Sequence, residues 1–184
     1  MPAWLLTSTC YGTWLPGDPR GSVTSVRDYR PDDPLTCLRL EHDFPGEPYE
    51  DEMPGLQRHA RETMIGPPVH FSLDHANVLA TQFPETATQR GWKLLAFAVM
   101  YNHVHLVVNV PGFVEAHKIL GDFKSYGSRA LNRAFGKPAS GTWWTYRGSK
   151  RLLRNDDAVA AAIHYVLFKQ PNPLVTWRPI ISER

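Results

Sequence analysis

The sequence predicts an α+β protein in which helices pack on an antiparallel sheet, and three observations support that prediction. An apolar run from Leu94 to Val110 has the composition of one or two buried strands. Val114–Phe135 and Ala158–Gln170 instead repeat their apolar residues at helical spacing. The elements follow one another as strand, helix, strands, helix and helix, an order typical of the α+β class.

A first strand is predicted at Ala3–Trp14, where β-branched and aromatic residues are frequent. The next segment, about residues 17–68, is long, polar and rich in proline. We interpret it as an insertion within a single domain that spans residues 1–184. Leu56–Met64 is predicted to form a short helix. Pro67–Phe71 is predicted to form a short edge strand, because its prolines would interrupt a central one.

A further helix is predicted at Leu73–Arg90, and Thr142–Arg154 is predicted to form a strand or a well-packed loop. Asn155 or Asp156 is expected to cap the last helix. Gly127 lies within the preceding helix and is expected to weaken it by roughly 1 kcal/mol relative to alanine.

The composition is that of an ordinary soluble globular protein, with 42% hydrophobic and 21% charged residues. No apolar stretch approaches the ~20 residues needed to cross a bilayer, and the N-terminus lacks the layout of a signal peptide. Cys10 and Cys37 are too few for a disulfide framework and lack the spacing of a metal site. We therefore expect a cytoplasmic protein with no membrane partner.

Charge is distributed unevenly along the chain. Residues 28–62 are mainly acidic, whereas residues 116–154 hold nine lysines and arginines against the single acid Asp122. Such a basic stretch indicates a surface that faces phosphates, although a solvated basic helix face would give the same pattern. Five of its cations are the predicted nucleic-acid contacts: Lys124, Arg129, Arg133, Lys150 and Arg151.

Two histidines lie two positions apart within the apolar run, at His103 and His105. Alternate residues of a strand share a face, so both imidazoles are predicted to point one way while Val104 and Leu106 point the other. Two such imidazoles can hold one divalent metal ion. A pair of core histidines hydrogen-bonded to the backbone is the alternative.

Tyr165 lies off the apolar stripe of the last helix, with Ala158 and Ala161 as near neighbours. An unhindered hydroxyl on a helix suits a nucleophile that attacks a bulky phosphodiester. A phenol with a pKa near ~10 needs activation, which a metal ion or a base would supply. A half-buried packing tyrosine is the alternative. Tyr126 is a competing nucleophile, although its spacing fits core packing better.

Four blocks of this sequence, in this order, resemble the single-tyrosine HUH transposases, a group that includes REP-associated tyrosine transposases and insertion-sequence transposases. The blocks are Tyr11–Asp18, His103–His105, Lys124–Asn132 and Tyr165–Gln170. The resemblance implies the HUH endonuclease fold, a ferredoxin-like antiparallel sheet with helices packed on one side of it.

The resemblance also implies the chemistry and the partner. Single-stranded DNA, often beside a hairpin, would be cleaved by Tyr165 through a 5′-phosphotyrosine, with Mg²⁺ or Mn²⁺ held by His103 and His105. The family's third metal ligand is an amide one helical turn after the tyrosine. Here Lys169 occupies that register, and we assign Gln170, one residue later, as the third ligand. Relatives act as monomers or dimers, so a homodimer is a further expectation.

Two other functions remain open from the sequence. The first is a catalytically inactive, domesticated nucleic-acid-binding protein of the same fold. The second is a histidine-based phosphodiesterase that forms no tyrosyl adduct, but the expected further histidine motifs are missing from the sequence. Trp143 and Trp144 are predicted either to stack on unpaired bases or to pack in the core.

Overall fold

A computed structural model describes residues 2–20 and 52–180 of the chain. It divides into two compact units, one formed by residues 1–13 and 65–184 and the other by residues 14–64. Residues 21–51, which include most of the predicted insertion and Cys37, lie outside the described residues. The single domain with an insertion at about 17–68 therefore stays a prediction.

The described residues form five strands and four helices. The strands are β1 (Ala3–Thr9), β2 (Lys93–Val99), β3 (His103–Asn109), β4 (Ser149–Leu153) and β5 (Val175–Trp177). They make one sheet in the order β4-β1-β3-β2-β5, and each neighbouring pair is antiparallel. The helices are α1 (Pro54–Glu62), α2 (Leu73–Arg90), α3 (Ala116–Phe135) and α4 (Asp156–Phe168). The predicted α+β class and antiparallel sheet are confirmed.

Helices cover both faces of the sheet, so the expectation of helices on one side was wrong. Leu106 of β3 packs with Phe83 of α2 and Phe123 of α3 on one face, while Val107 packs with Val166 of α4 on the other. The physical reason lies in β2, because Phe97 and Val99 pack on one face and Ala96 and Ala98 on the other, so both faces must be covered.

Small residues bring α4 close to its face of the sheet. Ala96 and Ala98 of β2 are fully buried in the same cluster as Ala162 of α4, and Ala158 packs against that cluster. Asn155 caps the helix, because its side-chain oxygen accepts a 2.8 Å hydrogen bond from the backbone N–H of Ala158.

Three local predictions were wrong or incomplete. The first strand ends at Thr9, well before the predicted Trp14. Pro67–Phe71 forms no strand; instead the Phe71 amide donates to the carbonyl of Tyr101 at 2.7 Å. β5 was not predicted, because three residues are too few for a period-2 pattern to be recognised.

Gly127 marks a close approach between α2 and α3. A Cβ atom added there would lie 3.0 Å from Cδ2 of Leu79 and 3.4 Å from Cε1 of Phe83. The glycine therefore allows the two helices to pack closely, despite its cost to helix stability.

Trp143 and Trp144 are buried beside these helices. The indole N–H of Trp143 donates to the Asn132 side chain at 2.8 Å, and that of Trp144 donates to the Ser128 side chain at 2.9 Å. Both tryptophans therefore belong to the core.

The second unit contains α1, which begins after Met53 with a proline in its first turn. Gly17 has a left-handed φ of 76°, and its carbonyl accepts from the Met53 amide at 3.2 Å. Nearby, Arg20 makes an ion pair with Asp18 at 2.6 Å, and the hydrogen bond from Arg20 lowers the pKa of the Asp18 carboxyl.

Candidate active site

The two histidines of β3 share one face of the sheet, as their spacing predicted. It is the face that α4 covers, because Val107 of the same strand face packs with Val166. The Nε2 atoms of His103 and His105 are 3.1 Å apart, and their ring centroids are separated by 4.7 Å. His105 is 7% exposed and sits opposite Thr7 of β1 in the antiparallel register. The pair therefore joins the buried ring of His105 to the half-buried ring of His103, with their Nε2 atoms within hydrogen-bonding distance of each other.

The opposite ring nitrogens are held by side chains rather than by the backbone. His105 Nδ1 lies 2.7 Å from the Thr7 hydroxyl, and His103 Nδ1 lies 2.7 Å from the Asn102 carboxamide oxygen. Because the Asn102 oxygen only accepts, His103 carries its proton on Nδ1 and keeps a lone pair on Nε2. The Thr7 hydroxyl can donate or accept, so it satisfies either tautomer of His105.

Burial keeps both imidazoles neutral near pH 7. Burial lowers the pKa of His103, and burial together with the neighbouring His103 lowers the pKa of His105 to about 4. The side chain of Gln170 raises both pKa values, because it stabilises the protonated rings, but this effect does not offset the burial. Neutral imidazole is the form that offers a lone pair to a metal ion.

Gln170 reaches the histidines because α4 ends before it. The last helical residue is Phe168, and the Lys169 amide closes the final turn by donating to the Tyr165 carbonyl at 3.1 Å. Beyond that turn, the Gln170 side chain lies close enough to His103 and His105 to raise the pKa of each, and its amide nitrogen donates to the Tyr165 carbonyl at 3.5 Å, while Lys169 is exposed. The one-residue difference in register is thus absorbed where the helix stops.

Tyr165 stands beside this cluster on α4. Its ring centroid is 5.5 Å from that of His105, with an interplanar angle of 69°, and the residue is 43% exposed. Tyr126 lies on α3, which covers the other face of the sheet, and its ring is flanked by the guanidinium groups of Arg90 and Arg129. Of the two candidate nucleophiles, only Tyr165 lies with the histidines.

The donor set at this cluster fits a divalent metal ion. Two imidazole nitrogens, of His103 and His105, lie with the carboxamide of Gln170, a combination of nitrogen and oxygen donors suited to ions such as Mn²⁺. The described residues contain no group of three or more histidine, cysteine, aspartate or glutamate side chains that could hold a metal ion. Gln170, an amide beside both histidines, is thus the candidate third ligand within the described residues.

Lys124 does not lie where a phosphate contact was predicted. Its ammonium group donates to the carbonyls of Thr145, Tyr146 and Arg147 at 2.5, 3.3 and 3.0 Å. Burial, with a smaller contribution from Lys150, lowers the pKa of Lys124 to about 8. All three ammonium hydrogens thus have partners in the loop before β4, and this placement does not support a nucleic-acid contact.

The remaining predicted cations are divided between the two faces of the sheet. In β4, Arg151 pairs with Leu5 and Lys150 pairs with Leu6, so the two side chains leave opposite faces. Arg151 shares the face of Thr7 and the histidines. Arg129 and Arg133 are exposed on α3, which covers the other face. Arg151 is therefore the predicted cation on the histidine face.

Sequence reasoning missed Thr7 and the three-carbonyl contact of Lys124. Neither has a local signal, because both depend on strand register and on the path of a loop distant in sequence. Asn102 was within the quoted motif, but its role as the partner of His103 required the geometry.

Comparison with known proteins relates part of this chain to one protein family. Residues 69–148 match the family model described as "Transposase IS200 like". This match includes both histidines and ends before Tyr165. A solved structure of a REP-associated tyrosine transposase bound to a REP hairpin is similar, with a TM-score of 0.46 and 11% identity. The similarity covers 90% of this chain and 64% of that one, so this chain spans less than two thirds of that protein.

No curated protein sequence is significantly similar to the chain. Within residues 2–20 and 52–180, no helix has the length and apolar character needed to cross a membrane.

Proposed function

We propose that the chain is a transposase of the IS200-like family, whose model matches residues 69–148, and that it cleaves and rejoins single-stranded DNA with Tyr165 as the nucleophile. His103, His105 and Gln170 would hold Mg²⁺ or Mn²⁺. One observation carries the proposal: a tyrosine from α4 lies 5.5 Å, ring to ring, from a buried histidine pair on β3. Elements distant in sequence thus bring a nucleophile to a candidate metal site.

The proposed reaction exchanges one phosphoester for another. The Tyr165 oxygen forms a bond to phosphorus while the bond from phosphorus to the 3′ oxygen breaks. The DNA 5′ end is left as a phosphotyrosine, and the departing 3′ oxygen takes up a proton to become a hydroxyl. Attack by a 3′ hydroxyl reverses these steps on a new DNA end. Since each step conserves the number of phosphoester bonds, rejoining needs no nucleotide cofactor.

The side chains of the site have separate tasks in this reaction. A bound divalent ion would supply positive charge at the phosphoryl oxygens. Thr7 and Asn102 fix the rings of His105 and His103 through Nδ1, so their Nε2 atoms remain directed at the ligand position. The partial exposure of Tyr165 leaves its hydroxyl accessible to a phosphodiester from solvent.

The proposed partner is single-stranded or hairpin DNA, met in the cytoplasm. Arg151 is suited to hold the strand that enters the site, since it shares the face of the histidines. Arg129, Arg133 and Lys150 would contact DNA that flanks this strand. A homodimer remains compatible with the family, but the short separation of Tyr165 and His105 favours cleavage within one chain.

A second candidate function is a catalytically inactive, domesticated nucleic-acid-binding protein. The observation in its favour is Lys169, because the single-tyrosine HUH transposases carry the amide ligand at this position, one helical turn after the tyrosine. The position of Gln170 near both histidines, where it raises their pKa values, argues against it.

A covalent-adduct assay tests the proposal. The protein is incubated with Mn²⁺ and single-stranded DNA from the flanks of its gene, then run on a denaturing protein gel. We expect a band shifted by covalent DNA, absent in Tyr165→Phe and retained in the matched control Tyr126→Phe. Loss of the band only in Tyr126→Phe would refute the assignment of the nucleophile. DNA binding without any adduct would favour the inactive binding protein.

A further inference from the structure

Two aromatic rings are stacked on each other at the surface near the histidines. The rings of His70 and Tyr101 are 4.3 Å apart between centroids, with an interplanar angle of 14°. Both residues are exposed, and Tyr101 retains 56% of its accessible surface. A stacked pair in this position has an open ring face, on which a further flat ring can stack.

The backbone on both sides of this pair is fixed. The Phe71 amide, next to His70, donates to the Tyr101 carbonyl at 2.7 Å. On the other side, the carbonyl of Asn102 accepts from the Cys10 amide at 2.8 Å. The two rings are therefore positioned before any ligand binds, which lowers the entropy lost on binding.

The pair lies close to the candidate metal site along the chain. Tyr101 is two residues before His103, and Asn102 between them hydrogen-bonds the His103 ring. The Cα atoms of Tyr101 and His103, two residues apart, can be separated by at most about 7 Å. A base on this ring pair would therefore belong to a nucleotide close to the one whose phosphate reaches the histidines.

From this placement we propose that His70 and Tyr101 form a stacking platform for an unpaired base of the DNA strand that is cleaved. The proposal rests on the function proposed above and extends it to a base-binding site. Bases of a duplex hide their faces in the stack, so an open aromatic face selects a single strand. Trp143 and Trp144, which the sequence offered for this task, are buried and hydrogen-bonded within the core.

Binding measurements with two probes test the platform. The probes are a labelled 20-nucleotide oligothymidylate and a fully abasic strand of the same length, which has the same phosphates but no bases. Full-length protein carrying Tyr165→Phe is used throughout, so that cleavage does not contribute. We expect Tyr101→Ala to weaken oligothymidylate binding about 5- to 100-fold and to leave binding of the abasic strand unchanged. Tyr101→Phe should bind both probes as the parent does.

Phe113→Ala is the matched control, because Phe113 is 99% exposed and follows the opposite end of β3. It should bind both probes as the parent does. Equal losses on both probes in Tyr101→Ala would overturn the platform and indicate a structural role. Unchanged binding of oligothymidylate in that variant, or no binding by the parent, would also overturn it.

The platform and the proposed cleavage can fail separately. A covalent adduct with the unmodified protein, combined with unchanged binding in Tyr101→Ala, would remove the platform alone. Base-dependent loss of binding in Tyr101→Ala, without any adduct in the unmodified protein, would support the platform and remove the cleavage.

Discussion

Replacing Thr7 with valine removes one hydroxyl group and keeps the β-branched shape that suits β1. That hydroxyl lies 2.7 Å from His105 Nδ1, and His105 is only 7% exposed, so water cannot readily replace it. A buried polar atom that loses its partner costs about 1–3 kcal/mol. Because this hydrogen bond holds the His105 ring in the orientation that binds metal, its loss should weaken Mn²⁺ binding by about 10- to 100-fold. This is the usual effect of losing the hydrogen-bond partner of a metal ligand.

The assay is titration of Mn²⁺ into the DNA-free protein by calorimetry, with Thr9→Val as the matched control. Thr9 lies on the same strand and its hydroxyl makes a 2.8 Å hydrogen bond to Thr145, not to a histidine. We expect the Thr9 variant to bind Mn²⁺ as the parent does, and Thr7→Ser to restore most of the affinity. Parental affinity in Thr7→Val would refute the reasoning, because it would mean that strand packing alone orients His105.

Three further predictions follow from the charged groups. His105 has a pKa of about 4 in the folded protein and an ordinary pKa of 6.5 in the unfolded chain. Between these two pH values the unfolded chain binds more protons than the folded protein. The free energy of unfolding should therefore fall by up to about 3 kcal/mol as the pH drops from 6.5 to 4. Urea unfolding at pH 7 and 4.5 should show a smaller difference in His105→Gln, and an unchanged difference would contradict the assignment. Arg151→Gln should reduce the slope of log affinity for single-stranded DNA against log salt concentration (the salt slope) by about 0.7. Lys150→Gln, on the opposite face, should reduce it less. Equal slopes in the two variants would contradict the placement of the two cations on opposite faces. Lys124→Met should lower the free energy of unfolding by about 1–3 kcal/mol in urea melts, because three loop carbonyls lose their hydrogen-bond donor. The salt slope should not change. A reduced salt slope would instead indicate that Lys124 contacts DNA.

Local patterns predicted the parts of the fold that local physics determines. Leu73–Arg90 was predicted with the bounds that α2 has, because Ser72 caps its start and Gly91 ends it in a left-handed conformation. The common face of His103 and His105 followed from the two-residue period of a strand, and the structure confirms it.

Tertiary relations were not accessible in the same way. The pairing of Thr7 with His105 depends on the register of two strands 98 residues apart in sequence. Counting helical turns from Tyr165 puts Lys169 in the ligand register, and Gln170 was assigned one residue later; its place beside the histidines depends on α4 ending at Phe168. Lys124 was counted with the surface cations because composition cannot tell an exposed ammonium group from one that loop carbonyls enclose.

The central claim is that Tyr165 forms the covalent bond to DNA, and peptide mapping of the adduct tests it most directly. The covalent complex is digested with a nuclease and trypsin, and the modified peptide is identified by mass spectrometry. We predict a nucleotide on the peptide of residues 155–169, which contains Tyr165. A nucleotide on the peptide of residues 125–129, which contains Tyr126, would contradict the claim and would separate the chemistry from the histidine face of the sheet.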